Sequence, residues 1–145
     1  MKNTIITDTG FWLALANEKD QYHELAKQKL HELSMINIDF ITTCAVMTEA
    51  TYLLYQRIGR EAQRKFITHY QNGLFSVFEI KLEYAPRINQ LMDKYADLPM
   101  DFADASLVIL AEHLGNGRIL STDRRDFQTY RWKNHKPFEN LLLSD

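Results

Sequence analysis

Lys2-Asn3-Thr4-Ile5-Ile6-Thr7-Asp8-Thr9-Gly10 is a short, apolar, β-branched run that stops at an acid, a hydroxyl and a glycine. Residues 3–8 read as a buried strand, because β-branched side chains favour extended backbone and the run is too short for a helix. Asp8 or Thr9 can cap the helix expected over Phe11–Asn17. A strand that passes at once into a helix opens an α/β unit, and the rest of the chain continues that alternation.

A second helix is expected over 21–34, after Asp20, with Tyr22, Leu25, Ala26, Lys29, Leu30 and Leu33 on one stripe. Ile36–Thr43 is the second strand. Thr43 or Cys44 starts a helix that runs to about Arg57, and Gly59 ends it. Arg60 to Gln71 forms another helix, stopped by Asn72-Gly73, and Leu74–Ile80 is the third strand. A helix over Glu83–Tyr95 tolerates Pro86 in its first turn. Pro99 marks a break before Asp101–Leu114, the most apolar helix, which Gly115 ends. Arg118–Ser121 is the fourth strand. A turn over Asp126–Tyr130 leads to a basic aromatic tail, and Phe138–Leu143 adds a final edge strand. Alternating strands and helices predict a mostly parallel sheet covered on both faces, in one domain spanning residues 1–145.

Composition narrows the function. The chain has 145 residues, 46% hydrophobic and 25% charged, which is ordinary for a globular domain and excludes disorder. Its single cysteine, Cys44, fits a reducing cytoplasm and allows no internal disulfide. The five histidines show no zinc-type spacing. Residues 1–20 carry Asp8, Glu18 and Asp20, and Phe11–Ala16 is too short for a signal-peptide core. No run approaches the roughly 18 apolar residues of a membrane span. A soluble cytoplasmic protein with no membrane partner is therefore expected. A net charge of −2 argues against a nucleic-acid coat protein, not against a nucleic-acid enzyme, since distribution outweighs the sum. Positive charge gathers in Arg57, Arg60, Arg64 and Lys65, and again in Arg118, Arg124, Arg125, Arg131, Lys133 and Lys136. For each of these residues alone, solvated surface is the default reading.

Four acids fall near the strand-to-helix turns: Asp8, Glu49, Asp104 and Asp123. Ligands of open α/β sheets bind beyond the carboxyl ends of the strands, so these acids would share one anionic pocket. Each has a structural alternative. Asp8 can be only a helix cap. Glu49 shares a helix face with Val46, Ala50 and Leu53 and could belong to a buried ion pair. Asp104 stands in a helix apolar nearly all round, where a carboxylate needs a strong partner, and Asp101 beside it can be a cap or a second ligand. Asp123 can be a plain turn residue, with Asp126 as its rival. Taken together, clustered carboxylates call for Mg²⁺ or Mn²⁺, hard cations that prefer oxygen ligands and activate water on phosphoryl groups. The hydroxyls of Thr7, Thr9, Ser106, Ser121 and Thr122 could orient water or phosphate. The arginines beside Asp123 could hold a phosphate backbone, with Tyr130 and Trp132 stacking bases.

Four segments carry a resemblance to a known family: Ile6-Thr7-Asp8-Thr9-Gly10-Phe11-Trp12, Thr42-Thr43-Cys44-Ala45-Val46-Met47-Thr48-Glu49-Ala50, Leu98-Pro99-Met100-Asp101-Phe102-Ala103-Asp104-Ala105-Ser106, and Ile119-Leu120-Ser121-Thr122-Asp123-Arg124-Arg125-Asp126-Phe127. In order and spacing they resemble the PIN-domain ribonucleases, specifically the VapC-like toxins of bacterial toxin–antitoxin pairs. The resemblance implies a three-layer α/β/α domain and a Mg²⁺- or Mn²⁺-dependent endoribonuclease acting on RNA. It carries the catalytic and metal-binding positions onto Asp8, Glu49, Asp104 and Asp123. Asp8 and Asp104 would be the core ligands, and Glu49 would complete the site or assist the attacking water. It further implies a homodimer, expected through apolar positions of the early helices, and a cognate antitoxin whose segment enters the active-site groove.

The alternative is a PIN-like module that binds or processes RNA without catalysis or without an antitoxin. A haloacid-dehalogenase phosphohydrolase would need a second Asp two residues after Asp8, where Gly10 stands. A receiver module would leave Glu49 and Asp123 without a task. Gly115-Asn116-Gly117 follows a helix rather than a strand, which excludes a dinucleotide fingerprint.

Overall fold

Burial sets the first element. Ile5, Ile6 and Thr7 are all buried in strand β1 (Asn3–Thr7), which lies at the centre of the sheet in a computed structural model describing residues 3–143. Lys2, where the first run begins, lies outside the described residues. Asp8 caps helix α1 (Thr9–Ala16) by accepting a 2.9 Å hydrogen bond from the Phe11 amide. Asp20 accepts from the Tyr22 amide at 2.8 Å, and this local turn delays α2 to His23–Ser34, two residues later than expected. Strand β2 (Ile38–Thr43) also starts two residues late, because Ile36 to Ile38 closes a tight turn and leaves Ile36 exposed.

Helices α3 (Cys44–Arg57) and α4 (Arg60–Gln71) lead to β3 (Phe75–Phe78). A single 3-10 turn (Leu82–Tyr84) precedes α5 (Ala85–Lys94), where Pro86 sits in the first turn and its missing N–H costs no helical bond. Helix α6 (Phe102–Leu114) follows, ended by Gly115 at φ 69°, the left-handed conformation that glycine adopts without a Cβ clash. Then come β4 (Arg118–Leu120) and α7 (Arg124–Thr129). The basic tail folds into an antiparallel hairpin of β5 (Arg131–Trp132) and β6 (Lys136–Pro137), turning through Lys133 and Asn134 at positive φ. The last strand, β7, is only Glu139–Asn140, since Asn140 Oδ1 accepts from the amides of Leu142 and Leu143 and bends the chain out of extension.

The main sheet has the order β3-β2-β1-β4-β7, and each adjacent pair is parallel. Register is fixed by pairs such as Ile5 with Phe40 and Thr7 with Leu120. The chain winds from β1 outward to β3, then returns to pair β4 on the other side of β1. Right-handed crossovers therefore put α1–α4 on one face and α5 and α6 on the other, giving the expected three layers. The reversal leaves a crevice between the carboxyl ends of β1 and β4.

Trp12, Phe66 and Phe75 pack ring against ring at centroid distances of 4.7–5.3 Å and bind α1 and α4 to the β3 edge. On α6, Leu107, Val108 and Leu110 are fully buried, each worth about 1.5–3 kcal/mol of apolar transfer. That burial holds the N-terminus of α6 against the crevice. No helix among the described residues is long and apolar enough to cross a membrane.

Candidate active site

At the crevice between β1 and β4, Asp8 ends one strand and Asp123 follows the other. Gly10 permits their approach, because a Cβ there would collide with Thr122 Oγ1. Ser121 links the two acids: its hydroxyl donates to Asp8 Oδ2 in a short hydrogen bond and accepts from the Asp123 amide at 2.9 Å. Glu49 arrives from the second turn of α3 and accepts from Thr9 Oγ1 at 2.6 Å. Asp104 arrives from the first turn of α6. That helix follows α5 rather than a strand, so the helix terminus, not a strand end, brings this acid into place.

All four expected acids line one cavity of about 320 Å³, joined by Asp101 and Asp126 and by Thr9, Gly10 and Thr122. Among the described residues, no lysine, arginine or histidine lines it. The ambiguities left open by sequence resolve geometrically. Asp8 is both a cap and a cavity residue. Asp101 caps α6, accepting from the Asp104 amide at 2.7 Å, while Asp104 Oδ2 accepts from the Asp101 amide at 3.4 Å. Asp123 caps α7 by accepting from the Asp126 amide at 3.0 Å. Asp126, named only as a rival, is buried and reaches Arg125 Nε at 3.4 Å. Glu49 is half-buried rather than enclosed, and its partner is a hydroxyl, not a base.

Three acids thus each receive a neutral hydroxyl donor: Asp8 from Ser121, Glu49 from Thr9, and Asp104 from Tyr130 at 3.2 Å. Hydroxyls orient the carboxylates without cancelling their charge. Burial pushes the Asp8 carboxyl up to about 7, against the lowering effect of its bonds to Ser121 and Phe11 and with the charges of Asp123 and Glu49 adding to the rise. Burial and then the Asp101 charge likewise raise Asp104 to about 7. Burial and the neighbouring Asp123 raise Asp126 to about 6. Apart from Arg125 beside Asp126, these confined like charges have no counter-charge in the cavity, an arrangement that marks it as a candidate functional site.

The donors suit a hard cation. Every charged group in the cavity is a carboxylate, the ligand type that Mg²⁺ and Mn²⁺ prefer. Among the described residues no three acids converge on one point as a closed ligand set. Mg²⁺ keeps several waters and takes one or two carboxylates directly, so an open acidic cavity fits it better than a cage would.

Two sequence expectations fail here. Tyr130 and Trp132 cannot stack bases: both are buried, Tyr130 against Tyr95 and Phe127, and Trp132 beneath the hairpin with its Nε1 donating to Pro137 O. Thr7 and Ser106 also face inward. Thr7 Oγ1 accepts from Trp12 Nε1, and Ser106 bonds to Ala103 O and Thr43. Reasoning from sequence missed the Tyr130–Asp104 bond, since nothing local marks a tyrosine 26 residues away as a partner. A second cleft of about 380 Å³ lies between α1, α2, α3 and α4, lined by Trp12, Leu15, Leu30, Leu54 and Phe66, and it lacks the acidic cluster.

Comparison with known proteins bears on the family and the fold. The PIN-domain family model matches residues 5–133. Ribonuclease VapC26 of Mycobacterium tuberculosis is 28% identical over 86 residues, or 59% of this chain; the match spans 64% of that relative, just under two thirds of its length. The crystal structure of M. tuberculosis VapC20, a Sarcin-Ricin loop cleaving toxin, superposes with a TM-score of 0.72 at 21% identity, covering 82% of this chain and 89% of that one. VapBC2 from Rickettsia felis, bound to a DNA fragment from its promoter, gives a TM-score of 0.68 at 11% identity, covering 94% and 98%. At those identities the two structures establish a shared fold.

Proposed function

The chain belongs to the PIN-domain family, and from that premise we propose that it is a Mg²⁺- or Mn²⁺-dependent endoribonuclease, the toxin of a toxin–antitoxin pair. The observation that carries the reading is the cavity at the β1/β4 crevice, lined by six carboxylates with no basic side chain among the described residues. Resemblance to VapC26, a named ribonuclease, supports RNA as the substrate class.

Asp8 and Asp104 would hold the cation, with Glu49 and Asp123 completing its surroundings. A bound divalent cation lowers the pKa of water and stabilises oxygens in an in-line phosphoryl displacement. The chain supplies the rest. Ser121 and the Phe11 amide fix both oxygens of Asp8. Glu49, with Oε1 held by Thr9, would complete the site or assist the attacking water by taking its proton on the other oxygen. The Gly10–Thr122 approach shapes the floor beside them.

For partners, the VapBC2 assembly of R. felis supports an antitoxin. Exposed Tyr52 and Tyr55 on α3 and Ile58 just after it, together with Met35 and Ile36 after α2, support a homodimer through the early helices. A cytoplasmic location accords with an RNA substrate and a lone free Cys44.

The test is cleavage of mixed cellular RNA by purified protein with Mg²⁺ or Mn²⁺ and with chelator, beside Asp104→Asn. Cleavage that requires both the metal and Asp104 is expected. An RNA-binding protein with neither cleavage nor metal binding would make this a non-catalytic module.

A further inference from the structure

Tyr130 is fully buried, yet its hydroxyl reaches the acidic site from behind, donating to Asp104 Oδ2 at 3.2 Å. A buried phenol needs a partner for its O–H, and a carboxylate is a strong acceptor. The ring has little freedom. Tyr95 meets it edge-on at 5.0 Å and Phe127 at 5.4 Å. The next residue is pinned as well, since the Arg131 amide donates to Tyr95 Oη at 2.9 Å. The hydroxyl is therefore a fixed donor set in a rigid aromatic block.

Its target oxygen is informative. The Asp101 amide also donates to Asp104 Oδ2. Both bonds to the Asp104 carboxylate fall on one oxygen, and Oδ1 has no hydrogen-bond partner among the described residues. A lysine in place of the phenol would cancel the charge of Asp104; the phenol orients it and leaves it available.

We propose that Tyr130 is a positioning residue for the site: it holds Asp104 Oδ2 so that Oδ1 is the single oxygen offered to a divalent cation. This rests on the metal-dependent reading above. Groups that orient metal-binding side chains typically change metal affinity or activity about 10–100-fold when removed.

The experiment is calorimetric titration of Mn²⁺ alone into the full chain, with thermal melting of each variant in chelator. Tyr130→Phe keeps the ring and removes the hydroxyl, so its Mn²⁺ Kd should rise about tenfold with little change in melting temperature. Phe127→Leu loosens the same aromatic block and keeps the hydroxyl, so its melting temperature should fall while its Kd stays near that of the wild type. Asp104→Asn should abolish the Mn²⁺ heat. A wild-type Kd in Tyr130→Phe, with binding intact in the parent, overturns the role of Tyr130 alone. A parallel loss of stability and affinity in Tyr130→Phe and Phe127→Leu also overturns it, because the role would then be packing. No Mn²⁺ heat in the parent protein removes the metal reading itself, and this inference with it.

Discussion

Thr9 Oγ1 donates a 2.6 Å hydrogen bond to Glu49 Oε1 and so ties the first turn of α1 to the second turn of α3. The bond occupies one carboxylate oxygen and fixes the direction of the other. Thr9→Val preserves the branched shape and removes the donor. RNA cleavage is expected to slow by about tenfold, as for other outer partners of metal-site carboxylates. Glu49→Gln should cost about 10²–10⁴ if Glu49 takes the water proton. Single-turnover rates on one RNA measure both, and equal rates in Thr9→Val and wild type would show that this bond is merely structural.

Asp8 caps α1 and also lines the acidic cavity, and the cap and the proposed site role separate by substitution. Asn caps helices as well as Asp does. It carries no charge into a buried, like-charged cavity. Asp8→Asn should therefore abolish cleavage while melting at or above the wild-type temperature at pH 8 without added metal. Retained cleavage would remove Asp8 from the site. A large drop in melting temperature would make its cap the main role.

The raised Asp8 and Asp104 carboxyls set a pH dependence whose sign follows from linkage. Each folded value, about 7, lies above the ordinary 3.8, so the folded state holds these protons more tightly than the unfolded state does. The stability they confer is full below pH 3.8 and is lost as pH rises through about 7. The cation-free protein should melt at a lower temperature at pH 8 than at pH 5, and Asp8→Asn should flatten that slope. Mn²⁺ at 100 times its Kd should restore about 2.7 kcal/mol, most visibly at pH 8 where the ligands are ionised. Calorimetric melting across pH, with and without Mn²⁺, checks both signs.

Gly10 lets α1 press against the loop after β4. In Gly10→Ala the new methyl meets the Thr122 side chain, a β-branched group with little room to turn. A loss of about 1–3 kcal/mol is expected, as for other overpacked sites. Thr122→Ala should recover part of it in the double variant, giving a non-zero coupling energy by urea unfolding. Additive effects would mean that the two segments do not touch.

Much of this was readable from residue order. The β-branched run before Asp8 and the all-apolar α6 each demanded one structural role, and the acids of four separate segments lie together. Local pattern failed where a distant partner decided the outcome. Tyr130 and Trp132 sit among arginines and lysines and look like an exposed stacking surface. The β5–β6 hairpin turns Trp132 inward and the end of α7 buries Tyr130, and only the tertiary contacts of Tyr95, Phe127 and Pro137 explain it. Asp101 and Asp104 have similar sequence surroundings; the capping geometry of α6 and the distant Tyr130 tell them apart.

The hydrogen bond between Asp8 and Ser121 closes a loop of 113 residues across the middle of the sheet. A chain that already carries Asp8 cannot complete the cavity until β4 and α7 have followed it. For a protein that would cut RNA, this topology is a timer. The cavity, and any chemistry it carries, exists only once the turn after β4 has joined the turn after β1.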